Sequence, residues 1–325
     1  MGGLRSSSAM KVATDGADPT LFWRQYSMMR SAPSLAFAVL CLAGLPAAAQ
    51  TPAPSRPTVP GASSTAGSPD PNAPRVIDGV DTVFMEEMTW MEIRDAMTAG
   101  KDTVIVATGG LEQNGPYLVS AKHNIVLRAT TEALARKLGN ALVSSIIQFV
   151  PEGEIDPPSG HMKYPGTISL SAATFEALLT DVASSLKSTG FKTIVFIGDS
   201  GGNQAGMKKV AETLSSKWSA AGSPARIYFI PEYYQYPALQ EWIETGLGIK
   251  QVDEGLHDDY AISSMMALVN PDSVRLKQRA AKGKDSINGV KLSPLSKTQA
   301  NARKIVEHRV DATIEALKKA IAAQK

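Results

Sequence analysis

Cysteine is nearly missing from this chain of 325 residues. The one thiol, Cys41, lies close to the N-terminus, so the remainder has no disulfide framework, thiolate metal site or cysteine nucleophile to draw on. Excess charge is missing too. Thirty-three Lys and Arg stand against 31 Asp and Glu, and residues 1–49 hold four of the bases (Arg5, Lys11, Arg24, Arg30) and two of the acids (Asp15, Asp18), which leaves 29 of each sign. A neutral chain without a basic run lacks the footprint that phosphate backbones attract, which speaks against nucleic acid and against a peripheral membrane role. Histidine is scarce at four residues, so each one is worth placing. What is present is ordinary for a globular protein: 43% hydrophobic residues, 20% charged, 26 Gly and 20 Pro, which excludes disorder and collagen.

The longest apolar stretch, Ser34–Ala49 behind Arg30, is too short for a membrane anchor and ends in Ala47-Ala48-Ala49, the A-x-A form of a secretory signal. Cleavage after Ala49 is expected, with Met28 or Met29 as a start giving a leader of ordinary length. Cys41 then leaves with the signal. The Pro, Ser, Thr, Gly and Ala-rich residues up to 75 read as a flexible tether, because such a composition buries no core. The expected organisation is a leader over 1–49, a linker over 50–75 and one domain over 76–325, exported to a periplasm or secreted, with no membrane contact after cleavage.

Within that domain, apolar β-rich runs alternate with helical patterns. Thr103–Thr108, Ala141–Val150, Lys192–Ile197 and Arg226–Ile230 read as strands; Asn124–Leu138, Ala172–Ser188, Gly206–Ala220 and a long final segment, about Ser296–Ala323, read as helices. Continuous apolar strands joined by helices predict a three-layer α/β/α sandwich on a mostly parallel sheet, and no internal repeat is evident. In such sheets the chemistry sits at the carboxyl ends of the strands. Three of those loops carry unusual sequences. The first runs Gly109-Gly110-Leu111-Glu112-Gln113-Asn114-Gly115-Pro116-Tyr117-Leu118 and leads to Lys122-His123-Asn124. The second ends in His161 and Tyr164-Pro165-Gly166-Thr167-Ile168-Ser169-Leu170. The third is Gly198-Asp199-Ser200-Gly201-Gly202-Asn203, and a later segment begins His257-Asp258-Asp259.

In this order and at these strand ends, the motifs resemble the creatininase (creatinine amidohydrolase) family over about Met88–Arg275. The family reads E-Q-H-G-P-H-L-P-x-x-T-D, F-P-G-T-I-S-L, N-G-H-G-G-N and H-A-G at these places. The resemblance implies a Rossmann-like α/β domain, commonly assembled into hexamers, that hydrolyses cyclic or linear amides with one or two divalent metals. The departures fall on the metal ligands. Glu112 is kept, but the His two residues on is Asn114, the Asp nine residues beyond that is His123, and the His of the third loop is Ser200. An imidazole cannot bridge two ions as a carboxylate does, so at most one ion is expected. The expected set is Glu112, His123 and His257, with Asp199 or Asp258 as alternatives to His257, around one Zn²⁺ or Mn²⁺.

The remaining candidates have two readings each. Glu112 also reads as a loop carboxylate bonded to backbone, and His123 as a helix-start residue beside Asn124 as N-cap. His257, Ser200 and Asp199 are the catalytic candidates; Asn114, Tyr117, His161, Gly201, Gly202 and Asn203 are those for substrate binding. Gly198–Gly202 also fits the strand-to-helix elbow of α/β-hydrolases, with Ser200 as nucleophile, His257 as base and Asp253 or Asp258 orienting it. Against that, the glycines and a small residue suffice simply to let the loop pass close to its neighbours. Tyr164, Tyr233, Tyr234 and Tyr236 suit a pocket for a planar ligand or a subunit contact, and His308, between Glu307 and Arg309, suits packing or solvent. The leading expectation is an exported hydrolase of a small amide or lactam that forms a homo-oligomer. The alternatives are a metal-free serine hydrolase and a non-catalytic small-molecule-binding protein on the same scaffold.

Overall fold

The structure, a computed structural model, describes residues 69–252 and 257–324. The expected leader and most of the expected linker lie outside the described residues. Contacts gather Pro69–Lys325 into one unit, so the packed region starts before the expected boundary at 76. The reason is local: Arg94 donates to the carbonyls of Pro71 and Ala73, and Arg75 pairs with Asp95 at 3.1 Å.

The elements follow in the order α1 (Trp90–Thr98), β1 (Thr103–Thr108), α2 (Lys122–Leu138), β2 (Ala141–Val143), α3 (Ala172–Ser188), β3 (Thr193–Gly198), α4 (Gln204–Ala220) and β4 (Arg226–Phe229). Then come α5 (Tyr236–Leu247), α6 (Tyr260–Val269), α7 (Leu276–Ala281), the short pair β5 (Ser286–Ile287) and β6 (Val290–Lys291), and α8 (Leu295–Ala323). The main sheet has the order β2-β1-β3-β4 with every pairing parallel. Side chains alternate across it, as the pleat requires. Ile105, Ala107, Val195 and Ile197 enter one core with α2, α5, α6 and α8, while Val104, Val106, Ile194 and Phe196 enter the other with α1, α3 and α4. The result is the expected three-layer sandwich on a parallel sheet.

Two expected elements differ in extent. The run Ala141–Val150 is a strand only to Val143 and thereafter touches its neighbours as single bridges at Ile147 and Val150, because an extra residue between Val143, opposite Ile105, and Ile147, opposite Thr108, breaks the register with β1. The helix expected from Asn124 begins at Lys122, and Asn124 is no cap: its side-chain amide bonds both the N–H and the carbonyl of Gly110. Among the described residues no helix is long and apolar enough to cross a membrane.

The strand order carries a functional consequence. The chain leaves β1 for β2 on one side and returns to β3 on the other, so the loops after β1 and β3 part and leave a crevice at their carboxyl ends.

Candidate active site

The first loop leaves β1 and comes back as α2, which brings Glu112 against the first turn of that helix. Lys122 Nζ donates to Glu112 Oε1 at 2.8 Å, and His123 Nε2 lies 3.0 Å from the same oxygen. The second loop approaches from the side: Ser169 Oγ accepts from the Glu152 N–H, and the Glu152 carbonyl accepts from the His161 N–H. His161 Nε2 lies 3.1 Å from Glu112 Oε2, while its Nδ1 meets Gln113 Oε1 at 2.9 Å. Glycine at 110 is required here, since a Cβ would stand 2.0 Å from Glu152 Oε1. The third loop places Asp199 at the end of β3, where its N–H bonds the Thr108 carbonyl and its Oδ2 lies 2.8 Å from His123 Nδ1. Gly202 lets this loop pass the Pro151 carbonyl, which a Cβ would meet at 2.5 Å.

Two further elements complete the site. Arg309, in the middle of α8, reaches Asp199 Oδ1 at 2.6 Å, donates through Nε to the Tyr233 carbonyl and lies over the rings of Tyr233 and Tyr236. The Tyr236 hydroxyl donates to Asp199 at 3.2 Å. His257 stands at the start of the α6 segment with φ 66°, a left-handed backbone that costs a non-glycine residue about 1 kcal/mol or more. The next two residues hold it there. Asp258 accepts from Arg279 at 2.5 Å and from Ser263, and Asp259 caps α6 by accepting from the Ile262 N–H. His257 Nδ1 is thereby 3.5 Å from Glu112 Oε1. Three of the four histidines of the chain converge on one carboxylate.

Burial sets the electrostatics. Glu112, Lys122, Asp199 and Arg309 are each at most 3% exposed, so their charges are felt at low dielectric. Burial would raise the Glu112 carboxyl, but the hydrogen bond from His123 and the charge of Lys122 outweigh it and hold the group well below the usual range. For Asp199 burial likewise acts upward, and Arg309 followed by His123 turns the direction downward. Glu152 goes the other way: burial and the negative charge of Glu112 push it up to about 9, so it carries a proton at neutral pH. The two nitrogens of His123 face two carboxylates, Nε2 that of Glu112 and Nδ1 that of Asp199.

The candidates inferred from sequence fall into two groups. Glu112, His123, His161, Asp199 and His257 meet in one place. Asn114 and Asn203 brace the loops instead: Asn114 Nδ2 donates to the carbonyls of Glu112 and Val119, and Asn203 Nδ2 to those of Thr108 and Gly109. Tyr117 lies on the Arg279 guanidinium, Gly201 lies beside the Tyr234 hydroxyl, and His308 stacks on Trp242 with ring centres 4.2 Å apart. Ser200 is buried, and among the described residues no hydrogen bond joins its hydroxyl to a histidine, so the nucleophile arrangement is not formed. Asp253 lies outside the described residues. Sequence reasoning passed over Lys122, Glu152 and Arg309. A lysine directly before the His of the first loop was the available sign for the first, and the pair of glutamates in Pro151-Glu152-Gly153-Glu154 for the second; Arg309 gave none.

Glu112, Glu152 and His161 each offer one ligand atom, all within 4.8 Å of one another. They share only Glu112 with the set expected from sequence. Two carboxylates and an imidazole suit a divalent ion such as Zn²⁺ or Mn²⁺. Glu152 Oε1, buried and with no hydrogen-bond partner among the described residues, is the kind of atom such an ion would satisfy. The contact of His161 Nδ1 with Gln113 is that of a ligating histidine whose other nitrogen is fixed by a neighbouring acceptor.

Comparisons with known proteins agree with this fold. A family model described as creatinine amidohydrolase matches residues 86–317. A creatinine amidohydrolase of Pseudomonas putida is 28% identical over 116 residues, 36% of this chain; the chain spans 44% of that relative's length. Among solved structures, a creatinine amidohydrolase (creatininase) has a TM-score of 0.53 at 20% identity, covering 75% of this chain and 98% of its own. A manganese form of creatininase has a TM-score of 0.53 at 19% identity, with the same coverage. A variant in a Zn–Zn form has 0.51 at 19% identity, covering 75% of this chain and 99% of its own.

Proposed function

Starting from the premise that the chain belongs to the creatininase family, we propose that it is an exported amidohydrolase that cleaves the C–N bond of a small amide or lactam. The observation that carries this reading is the meeting of Glu112, from the loop after β1, with Glu152 and His161, from the segment after β2. These three residues would hold one divalent ion, Zn²⁺ or Mn²⁺. When bound, such an ion polarises a carbonyl and lowers the pKa of a water molecule.

The chain's own residues supply the rest. Lys122 and His123 fix the Glu112 carboxylate from one side, so that its other oxygen keeps its direction toward His161. His257 is the group placed to carry a proton to the leaving nitrogen: its side chain is 37% exposed, facing solvent on one side and Glu112 on the other. Its ring centre is 6.0 Å from that of His161, so the two imidazoles lie close together beside Glu112. Asp199 is a positioning residue, held by Arg309 and Tyr236 and aligning His123.

A relative of this fold was solved with creatine, which makes small guanidino and lactam compounds the first to try. The test is hydrolysis of a panel of cyclic and linear amides by the mature protein supplied with Zn²⁺ or Mn²⁺, beside Glu112→Gln. Turnover that a chelator abolishes and that Glu112→Gln lacks is expected. Turnover indifferent to chelator would overturn the metal mechanism, and absence of turnover across the panel would favour the non-catalytic alternative.

A further inference from the structure

We propose that Lys122 and Arg309 are internal cations that take the place of a second metal ion, so that the site is limited to one. The inference rests on the reading of Glu112, Glu152 and His161 as an ion site and adds to it what governs the number of ions. The two oxygens of Glu112 have different surroundings. Oε1 has the Lys122 ammonium at 2.8 Å, His123 at 3.0 Å and His257 at 3.5 Å, whereas Oε2 has His161 at 3.1 Å. A divalent ion on the Oε1 side would have to displace an ammonium that is 1% exposed and anchored on the first turn of α2.

The neighbouring carboxylate is closed in the same way. Asp199 has Arg309 on Oδ1 at 2.6 Å and His123 on Oδ2 at 2.8 Å, with the Tyr236 hydroxyl donating to both oxygens. Both oxygens of Asp199 thus face groups that donate to it or stand against it as an ion pair, where an ion would have to bind. Where a binuclear centre would need carboxylates short of positive charge, this site sets Lys122 and Arg309 against its two carboxylates, with the ring of His123 between them. On the other side Glu152 Oε1 is buried with no hydrogen-bond partner among the described residues. Lys122 also sets the strength of the remaining site, since its charge repels an ion that shares Glu112 with it.

The test is isothermal titration of the metal-stripped full protein with Zn²⁺, with bound zinc counted by plasma mass spectrometry, for wild type, Lys122→Gln and Lys122→Arg. Wild type should take one ion per chain. Lys122→Gln should bind it at least tenfold more tightly or accept a second, and Lys122→Arg, which keeps the charge and serves as the folding control, should match wild type. Two ions in the wild type would overturn the proposal, and that result needs no variant. So would Lys122→Gln that is folded by circular dichroism yet binds no more zinc, and no more tightly, than wild type. No ion in wild type but one in Lys122→Gln would uphold the internal cations while removing the metal from the proposed hydrolysis.

Discussion

Arg309→Met should cost roughly 3–5 kcal/mol of stability, the usual penalty for removing one partner of a buried ion pair. The structure supports a value in the upper part of that range. Asp199 is fully buried, Arg309 is 3% exposed and 2.6 Å from it, and the guanidinium also serves the Tyr233 carbonyl and covers two tyrosine rings. Methionine keeps much of the volume, so most of the loss comes from the stranded carboxylate. In a domain of this size such a loss lowers the thermal midpoint by about 10 °C. The sign with pH follows from the Asp199 shift. Its folded pKa is depressed, so its contribution is present above the unfolded value and is lost as pH falls through the folded one. Without Arg309, burial raises that pKa, and protonation in mild acid then relieves the variant. The deficit should therefore be largest near pH 7 and shrink toward pH 5. Urea unfolding of wild type, Arg309→Met, Asp199→Asn and the double variant measures it, and the double variant should be less destabilised than the sum. A loss below about 1 kcal/mol, an equal loss at both pH values, or strict additivity would refute the reasoning.

Glu152→Gln mimics the protonated carboxyl. Because the folded pKa of Glu152 is raised to about 9, the folded state holds a proton that the unfolded chain releases, and stability falls as pH rises between the unfolded value and about 9. The metal-free variant should gain on wild type across that window, as thermal midpoints at pH 6 and pH 8 would show; a constant difference would contradict it. Ser200→Ala should keep at least half of any amide turnover, and the wild type should resist fluorophosphonate labelling, since among the described residues no hydrogen bond joins that hydroxyl to a histidine. Loss of turnover in Ser200→Ala together with labelling of the wild type would restore the nucleophile reading. Expression in a Gram-negative host with its own leader should yield a protein beginning at Gln50, which N-terminal mass spectrometry reads; an intact leader on soluble protein would contradict export.

The layers of the fold were legible because buried parallel strands leave an unbroken signature. Thr103–Thr108 and Ala172–Ser188 match the structure residue for residue, and the final helix starts one residue earlier than expected. Ala141–Val150 misled because its apolar composition runs on past the point where an extra residue breaks the pairing with β1, beyond which Ser145, Gln148 and Phe149 are exposed. In the site, Glu112 and Asp199 were legible from their places after β1 and β3, and His123 and His257 from the motifs of the family resemblance. The ion pairs were not. A lysine at a helix start usually reads as a solvated charge, and an arginine in the middle of a 29-residue helix carries no local sign that it reaches the sheet. The same blindness affected His123, whose type suggested a ligand but whose two nitrogens are engaged by carboxylates.

The most direct measurement is a crystal structure of the mature protein grown with zinc, with an anomalous difference map recorded at the zinc edge. The account predicts one peak per chain, bounded by Glu112, Glu152 and His161, with Lys122 still on Glu112 and Arg309 still on Asp199. A peak at Asp199 or Ser200, a second peak beside Glu112 with Lys122 displaced, or no peak at all would contradict it.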